Sequence, residues 1–261
     1  MYIVVINHKS IKMKKNLLTI LCLALTFVVN GQVIRSWNWT VNDGQRAEFE
    51  KAVSDKTKKY NSSKEDSQMF TFQINSGNET GDYWRVRIEE QFKDFDKENK
   101  NGLKAMQNTA AKYGKVTSSA WWSIVEKATY WPEGDNNWKK PLKRYFIYNY
   151  DGEHDADFWA FRFKVQGAIK ESGADINMTT LQCTAGCQGN QIMVIFSHSN
   201  FEDLQNDNGS EWKKVYDKYN ELYGVKYESD INEFESSLTL GGFGRYSGTM
   251  MFKPNMSSPQ N

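Results

Sequence analysis

Few residues in this chain have the chemical reach to hold or transform a ligand. Arg85 and Arg87 alternate with Tyr83 along residues 82–90 (DYWRVRIEE). In an extended strand that alternation puts all three on one face. By the same period Gln73 joins Thr71 on one face of residues 68–75, and Asn38 joins Ser36 and Thr40 on one face of residues 33–41. Guanidinium forks flanked by amides and a phenol attract a carboxylate or a phenolate. Asn38, Gln73, Tyr83, Arg85 and Arg87 are therefore the candidate ligand-binding set. The structural alternative is a solvated face, or arginines paired with nearby acids.

Histidine restricts the acid–base options, because the chain has three. His8 lies near the start. His154 sits between Glu153 and Asp155, where a solvated helix start is expected. His198 closes an apolar run (IFSHSN) just before a helical stretch. It is the candidate catalytic residue, as an acid–base group or an iron ligand. Its plain alternative is a strand-end residue bonded to the next helical turn. Cys183 and Cys187, spaced C-T-A-G-C, suit a small disulfide loop in an exported protein. A zinc site would need four ligands, and no histidine or cysteine cluster joins these two, so no metal site is expected. Glu89 and Glu90 are adjacent and point to opposite sides of a strand, which excludes an acid–base couple. Gly241-Gly242-Phe243-Gly244 lacks the strand-then-helix setting of a nucleotide loop and reads as turns.

The elements that must position these residues recur. Asn42-Asp43-Gly44 matches Tyr150-Asp151-Gly152 at an offset of 108, residues 92–95 match 201–204 at 109, and Lys112-Tyr113-Gly114 matches Leu222-Tyr223-Gly224 at 110. The ordered offsets point to a duplication. In the first half, residues 33–41, 68–75 and 82–90 have strand patterns, and residues 45–60 place Phe49, Ala52, Val53 and Tyr60 near one helical face. A polar helical stretch spans residues 92–113. A fourth strand is expected near 117–130, although that segment also reads as helix. The second half repeats the order. Residues 144–150 form a strand, 155–172 a helix despite a competing alternation, 177–183 and 191–197 a hairpin, 201–223 a helix and 233–252 a strand-leaning tail.

Two β-α-β-β-α-β units make two ferredoxin-like, split-βαβ halves, expected at residues 32–140 and 141–261. Each half leaves one sheet face bare, and packing sheet to sheet covers both. The strand–turn–helix at residues 37–49 and the strand–helix junctions at 88–95 and 196–204 resemble the dimeric α+β barrel superfamily. The resemblance covers most of residues 33–253 and rests on order and spacing. It implies an α+β fold, two ferredoxin-like repeats closing an intrachain barrel. The superfamily includes cofactor-independent monooxygenases, haem-degrading monooxygenases and chlorite dismutase-like haem proteins. It therefore implies monooxygenase-like chemistry on an aromatic or anionic compound, and it leaves the cofactor, haem included, unknown. On this reading the polar strand faces point into the barrel, and the sets Trp37/Trp39, Phe70/Phe72/Ile74 and Trp84/Val86/Ile88 meet the helices.

Compartment and composition bound the rest. Lys14 and Lys15 precede an uncharged run at residues 17–29, with Val29 and Gly31 placed for a cut before Gln32. That run is too short to span a bilayer, so export with cleavage of residues 1–31 is expected. Losing four lysines and no acid moves the formal charge from +1 to −3. A mildly acidic chain argues against nucleic-acid binding, and no second long apolar run suggests a membrane partner. A small molecule is the expected partner. Nine tryptophans keep a second reading open, a carbohydrate- or surface-binding module that stacks sugars on Trp37, Trp39, Trp121, Trp122 or Trp131. A third is a packed aromatic core with no small ligand.

Overall fold

The computed structural model describes residues 31–259 except 64–65, 98, 133–139, 206–208 and 240–243. The expected leader and residues 241–243 of the glycine run lie outside the described residues. Eight strands follow in chain order. The first four are β1 (Val33–Val41), β2 (Met69–Ser76), β3 (Tyr83–Glu89) and β4 (Gly114–Ile124). The second four are β5 (Leu142–Tyr150), β6 (Met178–Ala185), β7 (Asn190–His198) and β8 (Arg245–Phe252). They close into a barrel in the order β1-β3-β2-β8-β5-β7-β6-β4. Within each half the order is that of a ferredoxin-like sheet, β4-β1-β3-β2 and β8-β5-β7-β6. The seams between halves are β2–β8 and β4–β6, both antiparallel.

Helices cover the outside. α1 (Arg46–Tyr60) buries Phe49, Val53 and Thr57, one residue per turn on one face. α2 (Lys100–Asn108) follows a 3₁₀ turn at Phe92–Asp96. α3 (Asp155–Ser172) buries Phe158, Phe161, Val165, Ala168 and Ile169 and ends at Gly173, whose φ of 64° suits a residue without Cβ. α4 (Phe201–Gln205), α5 (Ser210–Tyr223) and α6 (Tyr227–Ser236) complete the second half. No helix among the described residues is long and apolar enough to cross a membrane.

Three apolar clusters result. One fills the barrel with side chains from all eight strands, including Ile34, Phe72, Trp84, Trp122, Ile147, Leu181, Ile195 and Met250. One lies under α1 and α2 around Trp39, Phe49, Val53 and Tyr83. The third lies under α3, α5 and α6 around Phe158, Phe161, Tyr219 and Phe234. Burying each large side chain contributes about 1.5–3 kcal/mol.

The structure departs from the expected elements in a few places. The ambiguous segment after residue 117 is strand, because β4 completes two ladders, to β1 and β6. The first polar helical stretch breaks into a 3₁₀ turn and a short helix. In the second half the helical stretch after Phe201 is divided, and α6 occupies residues expected to lean toward strand. The tail after β8 runs on along β2. Lys253 N donates to Thr71 O, and Ser258 N donates to Met69 O, which extends the β2–β8 seam past the last ladder pair.

Gly248 sits where that seam is tightest. A Cβ there would overlap the Ser76 carbonyl oxygen and the Tyr145 hydroxyl. Gly248→Ala should therefore force β8 away from β2 and cost about 1–3 kcal/mol. Urea denaturation of the two proteins checks this, and equal midpoints would refute the close approach.

Candidate functional site

The barrel interior is not filled evenly. Trp84 and Met250 lie between two cavities that open toward opposite ends. The upper cavity, about 900 Å³, reaches the end that carries the β2–β3 and β6–β7 turns. The lower one is about 490 Å³ and is walled by Phe70, Phe72, Val86, Ile88 and Leu181. Alternation puts Ile34, Ser36 and Asn38 of β1 on the inner face, and the rise along the strand sets Ile34 in the lower space and Ser36 and Asn38 in the upper one.

Trp84, Trp122, Tyr145 and Tyr246 line the upper cavity, and Tyr150 borders it while its ring stacks on Phe158. Trp122 is held by its indole N–H, which donates to Ser36 Oγ at 3.0 Å. Ile147 and Met193 add apolar wall. Around the mouth stand hydroxyls and amides from Ser118, Ser119, Asn149, Asn190 and Gln191. Glu79, from the β2–β3 turn, accepts a 2.7 Å hydrogen bond from Asn38 Nδ2. Burial, the Glu79 carboxylate and the Tyr246 phenol push Tyr145 up to about 12. Burial and Glu79 raise Tyr246 as well. Cys183 and Cys187 form a disulfide in the β6–β7 turn, and Cys187 lines the cavity. The described lining has two carboxylates, Glu79 and Asp151, and no lysine, arginine or histidine.

Of the candidate ligand-binding set, only Asn38 faces this space. Gln73, Tyr83, Arg85 and Arg87 point outward, toward the helices, so the basic cavity expected from them is not formed. The cross-strand register explains the inversion. Trp37 pairs with Arg85 and Trp39 with Tyr83, so those residues share the face that α1 covers, while Asn38 pairs with Trp84 on the inside. The interior of an eight-stranded barrel is itself a core and takes Phe70, Phe72, Ile74, Trp84 and Val86. The outer face takes residues whose polar tips can reach helix acceptors. Arg85, 2% exposed, donates to Thr71 Oγ1, Thr57 Oγ1 and Met256 O. Its burial lowers the guanidinium to about 9. Arg87 pairs with Glu89 at 2.6 Å, donates to Asp94 O and lies over the Phe95 ring, fastening the 3₁₀ turn to the sheet. Tyr83 donates to Glu50 of α1, and Gln73 accepts from Lys253.

His198 is buried at the end of β7 and pairs with Leu142. Alternation puts it on the helix side with Phe196, and it lines neither barrel cavity. His154 is exposed at the start of α3. Under the second-half helices, Tyr148, Phe158, Phe161 and Phe234 occupy the space ring against ring. Neither described histidine lines a barrel cavity, so neither is placed to ligate a haem lodged there. No group of three or more His, Cys, Asp or Glu side chains among them could hold a metal ion. The described tryptophans make no common platform either. Trp39 and Trp122 are buried, Arg35 lies between Trp37 and Trp121, and Trp131 is exposed by itself.

Residues that sequence reasoning passed over, Glu79, Tyr145 and Tyr246, come from three separate segments, and Trp122 enters that reasoning only as a ring for stacking sugars. The alternation of β5 (RYFIYNY) was the one local signal that set Tyr145 and Ile147 on a shared face.

No family model matches the sequence, and no curated protein matches it. Solved structures do match in fold. A protein of Lactobacillus acidophilus designated a monooxygenase aligns at a TM-score of 0.52 with 12% identity, over 88% of this chain and 97% of that one. A protein of Fusobacterium nucleatum with the same designation gives 0.53 and 10%, over 85% and 93%. An anthrone oxidase-like protein gives 0.52 and 9%, over 85% and 91%. At these identities the likeness establishes the fold, an α+β barrel shared with monooxygenase-like proteins.

Beside Arg85, Lys56 donates to Asn61 Oδ1 at 2.6 Å. Burial and the Arg85 charge, opposed by Asp66, lower its ammonium from 10.5 to about 7. Below pH 7 both folded and unfolded chains carry the proton, and the cost of burying it is fully present. Above pH 7 the folded chain releases it first, so stability should rise with pH until about 10. Lys56→Gln should flatten that rise. Denaturant midpoints of both proteins across the window test it, and parallel profiles would refute it.

Proposed function

We propose that this chain is an exported small-molecule-binding barrel whose ligand, an aromatic compound, lodges in the upper cavity. The observation that carries this reading is the cavity itself. Its volume of about 900 Å³ falls at the top of the range of small-molecule sites, and it combines aromatic rings with a collar of hydroxyls and amides. Ring faces and apolar walls supply affinity, and the collar fixes orientation. Export is supported by the leader-like start of the sequence and by the Cys183–Cys187 disulfide, a bond that persists in oxidising compartments.

The absence of a cation in the described lining favours the aromatic over the anionic ligand. A surface glycan site is disfavoured because the described tryptophans are dispersed or buried. A second reading, oxidation of the bound compound, draws support from the monooxygenase designations of structures with the same fold. In that reading the phenol of Tyr246, held protonated, is available as a hydrogen-bond donor to a substrate oxygen, whereas the Tyr145 hydroxyl already donates to Ser76 O.

Calorimetry of residues 32–261 with 2-naphthol should show one saturable site per chain. Ser118→Trp projects a ring from the exposed inner rim of β4 and should weaken binding about tenfold or more while leaving the thermal midpoint near wild type. Binding unaffected by that substitution would place the ligand elsewhere. Oxygen uptake with a bound compound would favour the oxidative reading, and binding without uptake the carrier reading.

A further inference from the structure

The two faces of the barrel wall differ in charge. On the outside, β1 and β3 carry Arg35, Arg85 and Arg87, each engaged by rings or by oxygen acceptors. On the inside, around the upper cavity, the charged side chains among the described residues are Glu79 and Asp151. The rings there add to the same sign, since the face of an aromatic ring is its negative side. Trp84 leans on Phe72 at 5.7 Å, while Trp122, Tyr145 and Tyr246 stack on no other ring among the described residues. Tyr246, 40% exposed, offers open ring surface to an occupant, while Trp84, Trp122 and Tyr145 form buried wall behind it.

We propose that the ligand of the upper cavity is an organic cation, an aromatic quaternary ammonium or protonated amine, seated against these rings with its charge toward Glu79. This rests on the reading of the upper cavity as the ligand site. Glu79 is placed for the role by the β2–β3 turn and by Asn38, whose Nδ2 donates to one carboxylate oxygen and leaves the other to an occupant. Its field reaches the interior, since it bears on both Tyr145 and Tyr246. A single exposed carboxylate in bulk water discriminates weakly. In a concavity with low-dielectric walls the same charge is focused, and ring faces reinforce it. An anion entering this space meets two carboxylates and no described counter-charge, so the cavity repels the ligand class that the arginine face alone would suggest.

The test uses residues 32–261 and three probes that share one ring system, trimethyl(2-naphthyl)ammonium, 2-naphthol and naphthalene-2-sulfonate, titrated by calorimetry near neutral pH. The ammonium should bind about tenfold more tightly than the naphthol, with the sulfonate weakest. That advantage should shrink as salt is raised. Glu79→Gln should reduce the ratio of ammonium to naphthol affinity to within about threefold. If naphthol or sulfonate binds as tightly as the ammonium, and Ser118→Trp still blocks it, the cavity is a ligand site and the cation inference is overturned. If none of the three binds, the ligand-site reading fails and this inference falls with it. A charge preference that survives Glu79→Gln would equally overturn the assignment of Glu79.

Discussion

A four-stranded sheet with helices on one side has two liabilities, a bare face and two edges of unpaired N–H and C=O groups. Each half of this chain carries both. The β2–β8 and β4–β6 seams remove them together, because joining the edges also rolls the two bare faces into one interior. Everything else in the molecule is subordinate to that closure. Gly248 has no side chain because the seam brings the Ser76 carbonyl oxygen and the Tyr145 hydroxyl against it. The tail after β8 continues the pairing with Ser257 and Ser258, whose hydroxyls accept from the Thr71 and Met69 amides. Trp122 is fixed by the hydroxyl of Ser36 on the neighbouring strand, and so faces inward without an unpaired N–H.

Much of that architecture could be read before the structure was seen. The strand patterns at residues 33–41, 68–75 and 82–90 lie within one residue of β1, β2 and β3 at every end. Duplication was the more powerful signal, because it settled residues 155–172 as helix where local alternation of Trp159, Phe161, Phe163 and Val165 argued for strand. Tertiary packing explains the outcome, since Phe158, Phe161, Val165 and Ile169 face the sheet at helical spacing. What did not read through was α6. Its sequence mixes acids with Ile231 and Phe234, and no counterpart in the first half marks it.

The site was far less legible, for a physical reason. A two-residue period sorts side chains into two faces, but it does not say which face is inside. In a one-layered sheet the polar face is the wet one. In a barrel wrapped by helices both faces are buried, so polarity loses its meaning as a guide. Arg85 shows the consequence. Its position in DYWRVRIEE matches a pocket residue, yet its guanidinium lies under α1, engaged by three neutral oxygens. Only the register of β1 against β3, with Trp37 opposite Arg85, separates the two outcomes, and register is a property of two distant segments.

The same reasoning explains why the upper cavity has no motif. Its lining comes from seven of the eight strands, β6 excepted, and from four connecting segments. No spacing in the chain can signal such a set, because what gathers it is the closure of the barrel. Once gathered, the set has a definite chemistry. Large side chains fill the waist of the barrel at Trp84 and Met250, and the space above them is left with rings, amides and carboxylates. The arginines went to the outer face because long side chains with charged tips can reach hydrogen-bond acceptors across a helix–sheet interface. Removing them from the interior left its sign to the carboxylates. The electrostatic character of the cavity is thus a by-product of how the helix layer is fastened to the wall.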